Sequence, residues 1–517
     1  MLTLRYKLLT GLDRLLALIL TALLLGTALA FGGGVWWARP VIASLAFALV
    51  LAWLGRSALA GPWRIHKSPL TALGMMGLMV GVIQLLPWPA ALIERVSPRS
   101  MAVVSLGMIP ELGLRDDPSA EIPPPFLARS PVSLDRSATL RWIVGAAACL
   151  GLFVVASHFA DRLGKARVIW GSVVAAFLVN VVLGGVQVAS LSGGLYGMFT
   201  PGSAPAWAPT LEDAMTAPSA MMLRPLGELD PGGVTLAAAH AERPFLVGSL
   251  MGGPGAFLGL ASLALPLAFG LMLQMISPRG LRQGLFARLR DSGQGSLVLL
   301  MLGLIVTGAV LVGVMGGRMA AGACGIGLLL AGLAGTWSSG VRKTGLAATI
   351  LVLASLAGGV ALGECSVVEA PLPKVDWPAA RATWAEAIPI LRDFPVLGTG
   401  LGSFPVVHPY YKARDAARNT AMSSVLQWAV ESGAVGVGLL LSAGLWCLVR
   451  LPGAIRRVGT ADRALAFGLL GSLVGFVSFS CIHWTVELPA IALGASAVAG
   501  TANRWLAGGT DLFVDRG

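Results

Sequence analysis

Charged side chains are scarce in this chain. Asp, Glu, Lys and Arg together make up 12% of its 517 residues, whereas 56% of the residues are hydrophobic and the mean hydropathy is +0.79. A typical water-soluble domain has about 25% charged residues. The composition therefore excludes an ordinary soluble domain and predicts a protein that lies in a lipid bilayer.

Cysteine and clustered acidic residues are scarce as well. The five cysteines form an odd set, and only Cys365 lies clearly in a predicted outer loop. The acidic pairs Asp116-Asp117 and Glu212-Asp213 stand alone in loops, without the spacing of metal ligands. We therefore predict neither a disulfide framework nor a metal site, and no cofactor.

Long apolar runs are abundant, and each is long enough to cross a bilayer core about 30 Å thick. We predict an all-α polytopic membrane protein, with residues 1–517 forming a single integral membrane domain, because continuous apolar runs favour helices over a barrel. About twelve spans are predicted, at approximately 15–35, 41–55, 70–89, 142–160, 168–190, 250–276, 295–315, 319–337, 345–363, 424–449, 464–482 and 486–503.

Basic residues concentrate in alternate short connections, near positions 56–67, 162–167, 279–290, 342–343 and 450–463. Basic loops stay on the cytoplasmic side, so both termini are predicted to be cytoplasmic. The long connections at 90–141, 191–249 and 364–423 then face the extracytoplasmic side. The net charge of +12 is explained by this topology, without a nucleic-acid partner.

Arginines stand at the predicted outer boundary of the membrane. Arg318 lies in the very short connection between the seventh and eighth spans, and Arg243 precedes the sixth span. A charge at this depth is costly and is usually held by a partner or a ligand. The alternative for Arg318 is a side chain that reaches out to lipid phosphates.

An amphipathic helix is predicted within the third outer loop. Apolar and basic residues recur there at spacings of three and four, namely Trp377, Arg381, Trp384, Ile388 and Leu391. The pattern fits a helix that lies on the membrane surface or against the bundle. Such a helix can be purely structural, yet Arg381 and Arg392 would overlook the mouth of a cavity.

The same outer loop continues into a segment rich in glycine and then in polar residues. Residues 395–404, here called the glycine loop, read PVLGTGLGSF, and the following residues include His408 and Arg418. Guanidinium groups pair bidentately with phosphate oxygens and stay charged. The pattern therefore favours a phosphorylated substrate, and on the extracytoplasmic side a polyprenyl diphosphate fits this chemistry without a metal.

Two motifs in this region resemble a known family. The glycine loop is similar to a P-x-x-G-x-G-x-G-x-F element, and residues 426–436 are similar to an L-Q-x-x-x-E-x-G-x-x-G helix start. Both are typical of the O-antigen ligase and O-antigen polymerase superfamily of bacterial inner-membrane glycosyltransferases. Gly317-Arg318 and Arg243 resemble further elements of that family, in which such arginines bind the lipid diphosphate.

The resemblance has two important departures, and one is Gly252-Gly253-Pro254, where the family tends to have asparagines. The family carries a His-Asn pair before the Leu-Gln element, and the histidine is the proposed base, whereas this chain has Met422-Ser423 there. His408 is a candidate substitute, with a structural or solvated role as the alternative. Glu431 is the other candidate and could instead pair with Arg318 or Arg418.

The resemblance implies an enzyme at the inner membrane that transfers a glycan from a polyprenyl-diphosphate donor to a hydroxyl of an acceptor glycan or lipid. In that interpretation Gln427, Arg243, Arg318, Arg381, Arg392 and Arg418 bind substrate. Polymerisation of a surface polysaccharide is favoured over ligation. The alternatives are a non-catalytic scaffold or glycan-binding partner of polysaccharide-assembly proteins, and a transporter of lipid-linked glycan.

Overall fold

The structure is a computed structural model that describes residues 2–33, 38–60, 68–97, 99–100, 129–190, 250, 253–276, 293–337, 342–365, 375–412, 420–459 and 462–507. The helices of these residues are α1 (Leu2–Leu29), α2 (Ala38–Ala60), α3 (Pro69–Leu85), α4 (Ala90–Val96), α5 (Arg136–Phe159), α6 (Leu163–Ser190), α7 (Gly253–Ile276), α8 (Gly293–Trp337), α9 (Arg342–Glu364), α10 (Trp377–Asp393), α11 (Phe404–Val407), α12 (Ser424–Arg456), α13 (Arg463–Ile482) and α14 (Pro489–Leu506).

Other regular structure in the described residues is short. Phe31–Gly33 and His408–Tyr410 form 3-10 helices. Strands β1 (Trp88–Pro89) and β2 (Arg129–Ser130) form an antiparallel pair, with Trp88 opposite Ser130 and Pro89 opposite Arg129. This pair joins the segment after α3 to the segment before α5.

Nine helices of the described residues are long and apolar enough to cross a membrane. Helices satisfy their own backbone hydrogen bonds, so apolar segments of this length are stable in lipid. The chain is therefore an all-α polytopic membrane protein, as predicted. The number of about twelve spans and the cytoplasmic position of the termini stay predictions, and α3, with 17 residues, is shorter than the nine.

Helix α8 is a hairpin of two antiparallel halves. Gly317 has φ 58° and ψ −157°, which breaks the helix at the predicted turn between two spans. Before this break, the backbone of α9 at positions 359 and 363 lies against α8 at positions 310 and 314. The half of α8 before the break therefore runs parallel to α9. The half after the break runs antiparallel to α9, since position 325 of α8 lies against position 356 of α9 and position 332 against position 349.

Helix α12 has a break of nearly the same geometry. Gly433 has φ 63° and ψ −158°, close to the values at Gly317. This region of backbone conformation is accessible mainly to glycine. A first section, residues 424–432, is thus set off from the longer apolar section that follows.

The glycine loop and the segments that contact it meet at one end of the helix bundle, here called the loop end. Contacts at this end join the last turn of α3, the start of α5 and the start of α12 to the glycine loop. They also join the end of α13 to the start of α7 and to α10. A small apolar core lies beneath these segments, formed by Leu134, Ala387, Ile390, Phe394, Phe404, Val407, Ala421 and Val430.

The predicted amphipathic helix is confirmed as α10. Ala380, Thr383, Ala387 and Ile390 are buried, whereas Ile388 is 45% exposed. Ala387 and Ile390 of this buried face lie in the same small apolar core as Val430 of α12. Arg381 and Arg392 lie on the exposed face, as expected.

Candidate functional site

The glycine loop owes its shape to three glycines at alternate positions. Gly398, Gly400 and Gly402 have φ values of 68°, 109° and 80°, which L-residues rarely adopt. A side chain at Gly398 would collide with the backbone of Glu431, and one at Gly400 would collide with Ser133. The spacing of the motif therefore reflects close backbone contact on two sides of the loop.

Backbone hydrogen bonds join the glycine loop to the break in α12. The N–H groups of Thr399 and Gly400 donate to the carbonyl oxygens of Val430 and Glu431, both at 3.1 Å. In return, the N–H of Ala434 donates to the carbonyl of Pro395 at 2.8 Å. A broken helix leaves backbone groups without partners, and the loop supplies them.

The Glu431 carboxyl group is buried beneath the loop, where three donors surround it. The N–H of Gly402 donates to Oε2 at 2.8 Å, and the N–H of Phe404 donates to Oε1 at 3.3 Å. The amide of Gln427 donates to Oε1 at 3.1 Å. Glu431 and Gln427, both predicted site residues, therefore meet at this point, and the Glu431 carboxyl group holds the glycine loop. Their assignments to catalysis and to substrate binding stay predictions.

Gln84 is a residue of this site that sequence reasoning missed. Its side-chain nitrogen donates to the carbonyl oxygens of Leu397 at 2.6 Å and Glu431 at 2.8 Å. Its side-chain oxygen accepts from the N–H of Leu401 at 3.0 Å. The signal in the sequence was an amide at the end of the otherwise apolar α3, and a buried amide requires hydrogen-bond partners.

His408 lies in the apolar core beneath the loop rather than on its surface. Its side chain is 0% exposed and stacks on Phe404, with ring centroids 5.1 Å apart. Its Nε2 is 3.1 Å from Oε2 of Glu386, a residue of α10 that sequence reasoning also missed. In this arrangement the imidazole does not face solvent. The role of His408 as a base stays a prediction.

Arg318 lies at the turn of the α8 hairpin with 81% of its side chain exposed. Its Nε and Nη2 donate to the two carboxyl oxygens of Glu364, each at 2.8 Å. The alternative pairing of Arg318 with Glu431 is therefore wrong for this structure, because Glu364 at the end of α9 is closer in the fold. Arg243 and Arg418 lie outside the described residues.

The start of α10 supports the Arg318 turn. The indole nitrogen of Trp377 donates to the carbonyl of Gly316 at 2.9 Å, and the N–H of Val375 donates to the carbonyl of Met315 at 3.0 Å. These donors serve carbonyl groups at the helix break. The turn that carries Arg318 is thus fixed by the same helix that carries Arg381.

Two ionisable residues follow α13 at the loop end. The ring of His483 packs against Trp377, with centroids 6.1 Å apart, and burial lowers the pKa of His483 to about 4. Glu487 has a buried Oε2 without a hydrogen-bond partner among the described residues. Burial and, second, the nearby Glu431 raise the pKa of Glu487 to about 8. Both groups are therefore largely uncharged at neutral pH.

Met422 occupies an uncommon backbone conformation at the entry to α12. Its φ is 53°, the only positive value of a non-glycine residue among those the structure describes. Its carbonyl accepts from the indole of Trp384 at 3.1 Å, and the neighbouring Ser423 caps α12 by accepting from the N–H of Leu426 at 3.2 Å. Met422 is thus held between α10 and α12.

Within the described part of the chain, His, Cys, Asp and Glu side chains form no group of three or more that is placed to hold a metal ion.

Fold and site together define an integral membrane protein with a polar, loop-covered end. Neither a scan of protein-family models nor a search of curated proteins returns a match to the chain.

Proposed function

We propose that the protein is an integral membrane glycosyltransferase that transfers a glycan from a polyprenyl-diphosphate donor to an acceptor hydroxyl. The transfer takes place on the extracytoplasmic face of a bacterial inner membrane. The observation that carries the proposal is the exposed guanidinium of Arg318, held at a helical turn of the loop end. An exposed arginine beside a membrane-embedded bundle suits the diphosphate of a lipid-linked substrate.

Arginine chemistry provides the catalytic contribution in this proposal. As the bond between sugar and diphosphate breaks, negative charge accumulates on the departing diphosphate. A guanidinium group stabilises that charge without a proton transfer, because it stays positive at every physiological pH. Arg243 would contribute to the same diphosphate, whereas Arg381, Arg392 and Arg418 would guide phosphate or glycan toward it.

The acceptor hydroxyl needs a base within hydrogen-bond reach, about 3 Å away. His408 remains our candidate, and its burial against Phe404 implies that α11 and the adjoining 3-10 helix shift when substrates bind. Glu386 would hold the imidazole in one orientation. Glu431 contributes in this scheme by fixing the glycine loop, because its carboxyl oxygens already accept three hydrogen bonds.

A second candidate function is that of a non-catalytic scaffold or glycan-binding subunit among polysaccharide-assembly proteins. The observation that favours it is the burial of both candidate bases, with His408 0% and Glu431 2% exposed. Met422 at the family's histidine position points in the same direction. Arg318 would then bind lipid-linked glycan without promoting transfer.

The test is polysaccharide chain length on gels, in cells that produce wild type, Arg318→Ala, Arg243→Ala or His408→Ala at matched membrane expression. Arg456→Ala is the control, because this exposed arginine ends α12 away from the loop end. Loss of long chains, with single-repeat product remaining, supports polymerisation. Normal chains in both the Arg318→Ala and the Arg243→Ala variants would reject the diphosphate site. Full activity of His408→Ala would reject His408 as the base.

A further inference from the structure

The ion pair between Arg318 and Glu364 uses the edge of the guanidinium that recognises phosphate. Nε and Nη2 each donate to a separate carboxyl oxygen of Glu364, both at 2.8 Å. This paired geometry is also the one by which arginine binds two phosphate oxygens. A phosphate that approaches the same edge must first displace the carboxylate.

The position of Glu364 is set by helix packing. The last turns of α9 lie directly on α8, since side chains at Gly359 and Gly363 would collide with the carbonyl groups of Val310 and Val314. Glycines allow this close backbone contact between membrane helices. The register of the two helices therefore places Glu364, the final residue of α9, beside the hairpin turn.

The pair remains open to exchange because it is exposed. The side chains of Arg318 and Glu364 are 81% and 46% exposed. Exposed ion pairs are weak and are screened by salt, so a ligand with stronger charge can replace the carboxylate. When the ligand leaves, the tethered carboxylate returns to the same edge without having to diffuse from solution.

We propose that Glu364 is a built-in competitor for Arg318 that sets the affinity of the site for the diphosphate group of a lipid-linked ligand and promotes release of the lipid diphosphate after transfer. This inference rests on the proposed function, in which Arg318 binds the donor diphosphate. It adds a residue that the sequence analysis did not identify. A tethered competitor weakens the apparent affinity by the fraction of time that it occupies the site.

The test is a double-mutant cycle on the full-length protein in detergent, with farnesyl diphosphate as the probe. Wild type, Glu364→Ala, Arg318→Ala and the double variant are compared by isothermal titration at low salt. Glu364→Ala is expected to lower the Kd about two- to fivefold, because the strength of an exposed ion pair corresponds to a factor of this size in an equilibrium constant. The gain should vanish in the Arg318→Ala background and shrink at high salt.

Glu94→Ala is the matched control, because it removes an exposed carboxylate of α4 and changes the net charge equally. It should leave the Kd unchanged. An equal gain from Glu364→Ala with and without Arg318 would overturn the inference in favour of general repulsion, as would no gain at all. If Glu364→Ala lowers the Kd for inorganic pyrophosphate but not for farnesyl diphosphate, the assignment to a lipid-linked ligand is overturned.

The cycle separates the two proposals. If Arg318→Ala binds farnesyl diphosphate as tightly as wild type, the diphosphate site of the proposed function fails, and the inference about Glu364 fails with it. If Arg318→Ala weakens binding while Glu364→Ala leaves the Kd unchanged, the proposed site stands and the competitor is rejected.

Discussion

Replacing Glu431 should release the glycine loop. In Glu431→Ala, the N–H groups of Gly402 and Phe404 lose their acceptor in a place that water does not reach, because the carboxyl group is 2% exposed. The backbone bonds of Thr399 and Gly400 to α12 remain. The expected result is therefore a local opening of the loop rather than unfolding of the bundle.

The magnitude follows from the two orphaned donors of the loop, Gly402 and Phe404; the third donor to the carboxyl group, the Gln427 amide, lies on α12. A buried donor left without a partner costs about 1–3 kcal/mol, so the pair costs at least about 2 kcal/mol. Since each 1.36 kcal/mol corresponds to a factor of ten, the opening equilibrium of the loop should rise about thirtyfold or more. Glu431→Gln retains a carbonyl acceptor and should produce a smaller change.

Hydrogen exchange followed by mass spectrometry measures this opening directly. Peptides that cover residues 397–404 should exchange faster in Glu431→Ala, whereas peptides within α9 should not change. Gln84→Leu removes a different set of bonds to the same loop and should accelerate exchange at Leu401. Glu94→Ala, on an exposed face, is the control for a lost carboxylate. Unchanged exchange of 397–404 in Glu431→Ala would refute the reasoning.

Two further predictions concern stability. Gly317→Ala should lower the free energy of unfolding by about 1–3 kcal/mol, because φ 58° with ψ −157° is strained for alanine. The control Gly322→Ala, with open space around its Cβ, should be neutral or stabilising. Equal apparent Tm values of the two variants in detergent would contradict this prediction. The raised pKa of Glu487 means that the folded state favours the protonated carboxyl, so stability should be greatest below the ordinary pKa of 4.5 and fall as pH rises through about 8. Glu487→Gln should remove that part of the pH dependence of Tm, and an identical pH profile in the variant would show that Glu487 does not titrate in this way.

Local features of the chain could be predicted from sequence because they depend on local physics. Apolar length fixed the helices, and the glycine at 317 placed the hairpin turn in α8. The three- and four-residue spacing after Trp377 identified α10.

Partners across long distances in sequence could not be predicted. Gln84 reaches Leu397 and Glu431 over separations of 313 and 347 residues, and no local pattern encodes such a contact. The same applies to Glu364. It is the ion-pair partner of Arg318, a role for which Glu431 was one candidate. Polar residue types indicated where a site lies, but the packing of helices decided which of them meet.

The joint between the glycine loop and α12 has a consequence for how the sequence can vary. Its bonds run between backbone groups of residues 395–400 and 430–435, so side chains such as those of Val396 and Thr399 do not form them. Tolerance to substitution should accordingly be uneven along this segment. In a saturation library, the glycines and Glu431 should be intolerant, whereas position 396, whose side chain is 42% exposed and whose backbone alone forms the bond to α12, should accept many residues.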